Sequence, residues 1–437
     1  MSSTTPSAAA PNPAAVPVPA AVPAPAAAPA PAAAPAPAAT HTPASGPHCF
    51  LALDIGGTKI AGGLVVLPAP DVPEVHLLSS VATQASRGGA AVLETVVDFA
   101  QDLLVQARQA GLEPQGIGVS SAGVIAEADG AIASATDTMP GWAGQPLGAA
   151  LREACHLPVA VLNDVHGHAL GEASFGAARG ARTALVFAIG TGMGGAAVFD
   201  GQVHRGARGV SGHFGHVYHP LAAGLTCSCG RESHIESVAS GSGLARLWAK
   251  RAAAQDPAAQ DPAAQNPTAQ DPANALAAAP WRAASYTGRA APAEPEASAE
   301  PATPQSSTTS AAPEQPAPEQ PVPGHQADYP REVSGGGEVA ARAAAGSKFA
   351  AAVLQDSARA LGQVIAGLAN CLDPDVIVLS GSVTQAGTVW REALAAGFAE
   401  SAMTPVREVP LARGTLGGKA PLIGAAIHCY QQYFQHH

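Results

Sequence analysis

The chain has 437 residues, 40 of them proline, and a formal net charge of −11. An acidic surface repels phosphate backbones, so nucleic acid is not an expected partner. No apolar run approaches the roughly 20 residues that a membrane-spanning helix needs. No Lys or Arg precedes Lys59, although a signal peptide would require one. The sequence therefore predicts a soluble cytoplasmic protein with no membrane partner.

Two segments are too rich in alanine and proline to form a core. Residues 1–47 are predicted to be a disordered tail, and residues 252–334 a disordered insert containing the near-repeat AQDPAAQDPAAQNPTAQDPA. Proline lacks the backbone donor that a helix needs, and alanine offers little apolar surface to bury. The rest of the chain has the size of a two-domain α/β enzyme.

Order is predicted to begin at residue 48 with the strand CFLALDI, the turn GGTK and the strand IAGGLVVL. A Walker or Rossmann loop opens a helix after its glycines, whereas an apolar strand pattern resumes here at once. We interpret the unit as a phosphate-binding hairpin. Gly56 and Gly57 let backbone amides approach oxygens, Thr58 adds a hydroxyl, and Asp54 could hold Mg²⁺ through water. An ordinary hairpin turn capped by Asp54 is the alternative.

The next segments are predicted from their periodicity: a helix over 89–110, a buried strand over 116–125, a polar loop over 131–148 that suits one wall of a ligand pocket, and a helix over 146–156. The strand VAVLND then ends in Asn163 and Asp164, before a helix over 165–176. A carboxylate at the carboxyl end of a strand in an α/β sheet lies where ligands bind. Asp is also a favoured helix N-cap, and the two roles are compatible.

A second unit of strand, glycine turn and strand is predicted in ALVFAIGTGMGGAAVFDG, in the same order as in the first hairpin. Its turn contains Gly190, Thr191 and Gly192, and Gly194 follows. Two such hairpins, each starting one α/β half, indicate an internal duplication. Facing each other across a cleft, they could hold a triphosphate from both sides.

His216, Cys227, Cys229 and His234 follow with the spacing H-x10-C-x-C-x4-H. Two cysteines and two histidines match the four nitrogen and sulfur ligands of a closed structural zinc site. A loop with incidental histidine and cysteine is the alternative. His213 is left over by this ligand set, so it is free to meet a substrate.

The remaining elements are predicted to be helices over 236–250, 341–373, 388–400 and 419–434, with strands over 374–383 and 408–412. The first of these strands leads into Gly381 and Ser382, a turn suited to backbone contact with a nucleoside.

Several of these motifs together resemble the ROK family of bacterial sugar kinases and repressors. They are DIGGTK at 54–59, LND at 162–164, IGTGMGG at 189–195, HFGHV…CSCG…HIE at 213–236, IVLSGS at 377–382 and LIGAA at 422–426. The resemblance implies an actin-like (ribonuclease H-like) ATPase fold, whose two α/β domains close on a sugar and MgATP. These domains would be residues 48–163 and 164–437, with a zinc loop over 213–236 and a final helix over 421–434 that could pack on the N-terminal domain. It also implies a homodimer or higher homo-oligomer.

The resemblance also implies roles for individual residues. Asp164 would be the base for the sugar 6-hydroxyl, and Asn163 and Glu236 would contact the sugar. His216 would both ligate zinc and contact the sugar. The nucleotide and its Mg²⁺ would be held by Asp54, Gly56, Gly57, Thr58, Lys59, Gly190, Thr191, Gly192, Gly194, Gly381 and Ser382. These roles suit phosphoryl transfer, which relies on positioning and charge stabilisation with one base.

The chain departs from the family pattern at three positions. His234 stands where many members have a third cysteine, and Ser233 stands where they have glycine. His213 replaces the glutamate of the glucokinase-type Glu-x-Gly-His motif. N-acetylmannosamine kinases of the family also have histidine there, and imidazole can donate as well as accept, which suits an acetamido group.

We therefore expect an ATP-dependent kinase that phosphorylates the 6-hydroxyl of N-acetylmannosamine. The alternatives are a glucokinase or another hexose or N-acetylhexosamine kinase, a sugar-responsive repressor, or an inactive sugar-binding protein. Residues 1–47 contain no Lys or Arg and cannot form a recognition helix, which disfavours the repressor.

Overall fold

The computed structural model describes residues 48–67, 73–255 and 332–435. The strands are β1 (His48–Ile55), β2 (Lys59–Leu67), β3 (Glu74–Ala82), β4 (Gly116–Ser121), β5 (Val124–Ile125), β6 (Ile132–Ser134), β7 (Val159–Asn163), β8 (Thr183–Ile189), β9 (Met193–Phe199), β10 (Gln202–Val203), β11 (Val376–Ser380) and β12 (Leu411–Arg413). The helices are α1 (Gly89–Gln109), α2 (Leu147–Cys155), α3 (Asp164–Phe175), α4 (Glu236–Ala239), α5 (Gly241–Ala254), α6 (Gly336–Ala344), α7 (Lys348–Leu372), α8 (Thr388–Ser401) and α9 (Ala420–Tyr433).

Two five-stranded mixed sheets repeat one pattern. Their strand orders are β3-β2-β1-β4-β7 and β10-β9-β8-β11-β12. In each sheet three consecutive antiparallel strands are followed by two parallel ones. The two glycine hairpins therefore occupy equivalent places in the two sheets, β1–β2 in one and β8–β9 in the other.

Both faces of each sheet are covered, which explains why the inner strands have continuous apolar sequences. Phe50, Leu51, Ala52 and Leu53 of β1 are all fully buried. The first sheet packs on α1 and α2 on one side and on α9 on the other. The second sheet packs on α5, α7 and α8 on one side and on α3 on the other. Among the described helices, none is long and apolar enough to cross a membrane.

Helix α3 crosses α9 so closely that backbone meets backbone. A Cβ at Gly424 of α9 would overlap the carbonyl of Gly167, and a Cβ at Gly171 would overlap the carbonyl of Ala420. Only glycine permits this approach. Since α3 also packs on the second sheet and α9 on the first, this crossing joins the two halves of the molecule.

Two of the predicted helices are interrupted. The helical stretch expected over 341–373 is divided into α6 and α7, because Gly346 adopts a left-handed conformation with φ +93° and Ser347 caps the second helix. The helix expected over 236–250 is divided into α4 and α5 at Ser240, whose hydroxyl accepts a hydrogen bond from the amide of Gly243 (3.0 Å). In both cases a serine N-cap starts a new helix.

Other boundaries also differ from the sequence prediction. The stretch 116–125 forms two strands, β4 and β5, and the loop over 131–148 contains β6. Strands β3 and β10 were not predicted. In β3 the alternation of buried and exposed residues is lost, because a bulge opposite Gly62 and Leu64 and a left-handed Leu77 (φ 50°) disturb the register.

The predicted tail over 1–47 lies outside the described residues, as does most of the predicted insert. The prediction began the insert at residue 252, but α5 continues to Ala254, and residues 332–335 lead directly into α6. The division into domains 48–163 and 164–437 assigns one sheet to each, with the final helix, α9, against the first sheet. As a description of two moving bodies, that division stays a prediction.

We expect Gly424→Ala to lower the free energy of unfolding by about 1–3 kcal/mol, because its Cβ must push α3 and α9 apart. Gly367→Ala is the matched control, since a Cβ there would meet no described atom within 4 Å. In the control, the higher helix propensity of alanine should raise the free energy of unfolding by at most about 1 kcal/mol. Urea unfolding of both variants measures the difference. A Gly424→Ala variant as stable as wild type would show that α3 and α9 can move apart without a cost in free energy.

Candidate active site

The parallel strands of the first sheet bring Asp54 and Asp164 to the same edge. Asp54 pairs with Ser120 across β1 and β4, and Ser121 pairs with Asn163 across β4 and β7. The Ser120 hydroxyl donates to the backbone carbonyl of Asp164 (3.4 Å). This arrangement places the two carboxylates close enough for the charge of Asp164 to act on Asp54.

Asp54 is half-buried, and its ionised form is disfavoured. Burial raises the pKa of Asp54 to about 7, with a further contribution from the charge of Asp164. A hydrogen bond from Ser120 and the charge of Lys59 act in the opposite direction. A cation beside Asp54 would favour the carboxylate, so the chemistry of this residue fits the predicted Mg²⁺.

Asn163 caps α3 and orients Asp164. The Asn163 side-chain oxygen accepts hydrogen bonds from the amides of Val165 (3.1 Å) and His166 (3.3 Å). Its amide nitrogen donates to Asp164 Oδ1 (2.8 Å) and to the carbonyl of Gly123 (3.0 Å). The capping role considered for Asp164 therefore belongs to Asn163.

Asp164 keeps one oxygen for other partners. Its Oδ1 accepts from the Asn163 side chain and from the amide of Val165 (2.9 Å), while no described group is hydrogen-bonded to Oδ2. Burial raises the pKa of Asp164, and these hydrogen bonds and the nearby His213 partly oppose the change. A carboxylate with a raised pKa and a free oxygen is suited to accept a proton from a hydroxyl.

Each of the two glycine turns is closed by a backbone hydrogen bond within the turn. In the first, the Gly56 amide donates to the carbonyl of Lys59 (3.1 Å), and Thr83 holds the turn by bonds to the carbonyls of Gly56 (2.6 Å) and Thr58 (3.1 Å). A Cβ at Gly57 would have only ordinary contacts, with Met139 and Thr138 at 3.8 Å. Thr58 and Lys59 are exposed. The turn therefore presents its tip, not the Gly56 amide, to a ligand.

In the second turn the Gly190 amide donates to the carbonyl of Gly192 (2.9 Å). A Cβ at Gly190 would meet no described atom within 4 Å, so neither packing nor backbone conformation requires glycine there. The amino end of α5 adjoins the turn: Gly241 donates to the carbonyl of Gly190 (2.8 Å) and Ser242 to that of Thr191 (3.2 Å). Open space beside a helix amino terminus suits an anion.

Packing accounts for the other predicted nucleotide glycines. A Cβ at Gly194 would lie 2.7 Å from Val165 of α3. Gly381 adopts φ +95°, and a Cβ there would overlap the backbone of Ile189 at the end of β8. Exposed Ser382 follows. The structure thus places the Gly381 turn next to the Gly190 turn, at the carboxyl edge of the second sheet.

The four predicted metal ligands lie together. One potential ligand atom from each of His216, Cys227, Cys229 and His234 lies within 4.8 Å of the others. The Nδ1 atoms of His216 and His234 are 3.2 Å apart, and Sγ of Cys229 is 3.3 Å from Nδ1 of His234. Two nitrogens and two sulfurs at these separations fit one tetrahedral zinc ion.

A narrow hairpin-like loop brings these ligands together. Tyr218 bridges His234, and Thr226 bridges Glu232. Ser233 between them adopts a left-handed conformation with φ +66°. Such a conformation favours glycine, which gives a physical reason for the glycine that the family pattern has at this position.

His213 lies between the carboxylates and the cysteine loop. Its ring stacks near that of His216, with centroids 5.9 Å apart. Burial lowers the pKa of His213, as does His216, whereas Asp164, the Val210 carbonyl and Glu236 raise it. The lowered pKa favours a neutral imidazole, which can donate one hydrogen bond and accept another.

Both carboxylate oxygens of Glu236 are engaged by the protein. Oε2 accepts from the amide of Met193 (3.0 Å), and Oε1 accepts from the hydroxyl of Ser228 (2.6 Å). The residue is only 6% exposed. A sugar contact by Glu236 would have to use the remaining lone pairs of these oxygens.

The ROK family model matches residues 50–283 and 327–432, which is more than half of the chain. The chain belongs to the ROK family. Its fold is of the α/β class, as predicted, and its two large sheets are mixed.

Named relatives of this ROK-family chain include two kinds of kinase. A glucokinase from Halalkalibacterium halodurans is 27% identical over 385 residues, which are 88% of this chain and 95% of the relative. An N-acetylmannosamine kinase from Shigella boydii serotype 18 is 31% identical over 198 residues, which are 45% of this chain and 63% of the relative. Among solved structures, a ROK hexokinase from Thermus thermophilus has a TM-score of 0.60 and 26% identity, covering 88% of this chain and 98% of that one.

Three contacts in this ROK-family site were not predicted from the sequence. Ser120 links Asp54 and Asp164, Thr83 holds the first glycine turn, and Ser228 contacts Glu236. Only Ser120 had a signal that could have been used, since it lies near the carboxyl end of a predicted buried strand. The Thr83 contact joins segments 27 residues apart, and the Ser228 contact depends on how the loop before Glu236 folds back.

We expect Asp54→Asn to become increasingly stable relative to wild type as the pH rises from 5 to 8. Between the unfolded pKa near 4 and the folded pKa of about 7, native Asp54 keeps a proton that the unfolded chain has lost. The free energy of unfolding of the wild type therefore falls as the pH rises through this window, whereas asparagine does not titrate. In Mg²⁺-free buffer, the free energy of unfolding of the variant relative to wild type should rise by on the order of 2–4 kcal/mol.

Urea unfolding at several pH values provides the measurement. Asp98→Asn, at an exposed position of α1, supplies the baseline. A difference between Asp54→Asn and wild type that does not change with pH would show that Asp54 is ionised at neutral pH.

Proposed function

We propose that this ROK-family sugar kinase transfers the γ-phosphoryl group of ATP to the 6-hydroxyl of N-acetylmannosamine. The observation that carries the proposal is Asp164, which begins α3 at the carboxyl edge of the first sheet. Its pKa is raised, and its Oδ2 has no hydrogen-bond partner among the described residues. The fold is proposed to be that of the actin-like ATPases, with two domains that close on both substrates.

Asp164 acts as the general base. The proton of the sugar 6-hydroxyl passes to its carboxylate as the oxygen forms a bond to the γ-phosphorus, and the bond to ADP breaks. A base with a raised pKa holds the proton better, and one base of this kind is all that phosphoryl transfer needs besides positioning. Asn163 fixes the carboxylate through its bond to Oδ1. A contact between Asn163 and the neighbouring sugar hydroxyls would have to replace one of the four hydrogen bonds that its side chain already makes.

The two glycine turns hold the phosphates from opposite sides. Half-buried Gly57 and exposed Thr58 and Lys59 form the tip of the first turn. The open space at Gly190 and the adjacent amino end of α5 support an anion position at the second. The remaining proposed nucleotide contacts are Thr191, Gly192, Gly194, Gly381 and Ser382, while Gly56, whose amide closes the first turn, holds the tip of that turn in place. Asp54 would hold Mg²⁺, which would supply positive charge beside the phosphates.

His213 supports N-acetylmannosamine over glucose. A neutral imidazole offers a donor and an acceptor to an acetamido group, whereas a glutamate only accepts. His216 and Glu236 complete the proposed sugar contacts. A glucokinase is the second candidate, because the glucokinase relative is matched over 95% of its length.

The Cys/His loop binds a structural zinc ion through His216, Cys227, Cys229 and His234. The donor set and its spacing support zinc. Four protein ligands leave no open position, so the ion stabilises the loop that carries the sugar-binding residues.

A coupled ADP-release assay with MgATP over N-acetylmannosamine, N-acetylglucosamine, glucose and mannose tests the function. We expect N-acetylmannosamine to give the highest kcat/KM. Asp164→Asn should lower kcat about 10³-fold, because the proton acceptor is lost, while sugar binding measured by calorimetry is retained.

His213→Glu serves as the specificity variant in the same assay and should shift preference toward glucose. Highest kcat/KM with glucose in the wild type would favour the glucokinase. Near-normal turnover by Asp164→Asn would refute the base assignment, and no turnover with any sugar would refute the kinase.

We expect metal analysis of the purified protein to find about one zinc ion per chain. Cys227→Ser should lose the zinc and lower Tm, since a structural ion contributes folding free energy. Cys371→Ser, an exposed cysteine outside the cluster, should retain both. A wild type without zinc would contradict the assignment.

A further inference from the structure

Ser228 lies between the two cysteines of the predicted zinc loop and contacts a carboxylate of the sugar site. Ser228 is exposed, yet its hydroxyl donates a hydrogen bond to Oε1 of the buried Glu236 (2.6 Å). Hydrogen bonds to ionised acceptors are short and roughly twice as strong as neutral ones. The geometry therefore suits a bond that fixes the direction of the carboxylate.

The other oxygen of Glu236 is tied to the second glycine turn. Oε2 accepts from the amide of Met193, and a Cβ at Gly192 would lie 3.3 Å from it. Glu236 thus connects the cysteine loop with the turn proposed to hold phosphate. With Met193 as the only anchor, the carboxylate could rotate about the Oε2 contact.

The second side-chain donor to Oε1 is the thiol of Cys227, at 3.5 Å. A cysteine that ligates zinc is a thiolate and has no proton to donate. Of these two donors, only Ser228 then remains available to Oε1.

We propose that Ser228 is a positioning residue that holds the Glu236 carboxylate in its sugar-binding orientation. The proposal rests on the function proposed above, in which Glu236 contacts the sugar. Removing the hydroxyl weakens sugar binding and leaves the chemical step, which depends on Asp164, nearly unchanged. The variant buries no new group and opens no cavity, because residue 228 is on the surface.

Calorimetric titration with the best sugar of the panel, without ATP, tests the proposal in the zinc-loaded protein. We expect Ser228→Ala to weaken sugar Kd about tenfold and to raise sugar KM to a similar extent, with kcat within about threefold of wild type. Ser228→Thr keeps a hydroxyl and should restore binding to within about threefold.

Ser237→Ala is the matched control. Its hydroxyl, one residue after Glu236, is buried and has no hydrogen-bond partner among the described residues, so its loss should change sugar Kd less than twofold. Zinc content should stay at one ion per chain in all three variants.

The outcomes separate this inference from the proposed function. If wild type phosphorylates a sugar and Ser228→Ala binds it equally well, the positioning role is wrong and the kinase stands. Loss of zinc from Ser228→Ala would also overturn the inference, because the serine would then act on the metal loop. If wild type binds no sugar, both proposals fall.

Discussion

The contact on which the arrangement of the molecule depends is the crossing of α3 and α9. Gly167 and Gly171 on one helix and Gly424 on the other let the two backbones touch, so the axes are closer than side chains would allow. Helix α3 begins with Asp164 and packs on the second sheet, while α9 covers the first. The position of Asp164 relative to both sheets is thus set by a contact in which no side chain can adjust. Close-packed contacts of this kind transmit displacement instead of absorbing it.

A second constraint is electrostatic. Folding brings Asp54 and Asp164 to one sheet edge and partly buries both, so the charged forms are disfavoured in the free protein. Ser120 and Asn163 offset part of this cost by donating hydrogen bonds. The site is therefore built at the expense of local stability, as is common where carboxylates must meet a cation or a proton. The part of the cost that these two residues leave could be offset by a cation bound at this edge.

The sequence was a good guide where one segment determines its own structure. The apolar runs of β1 and β8 predicted buried strands, and the glycines after them predicted hairpins, because both signals are local. Helix breaks were missed, since alanine-rich segments keep helical periodicity through Gly346 and Ser240. The bulged β3 was missed because its alternation is lost. At the site, the spacing of the cysteines and histidines predicted a cluster, and the structure assembles one. The partners of Glu236 could not be predicted, because Met193 and Ser228 approach it from separate loops.

The repeated order of the two sheets has an evolutionary consequence. When the hairpins are matched by their glycine turns, Asp54 of the first corresponds to Ala188 of the second, one residue before the isoleucine that precedes each turn. If the two halves arose by duplication, only one copy of the hairpin carries an acid that could meet a cation, so the site is asymmetric although the order of the strands repeats.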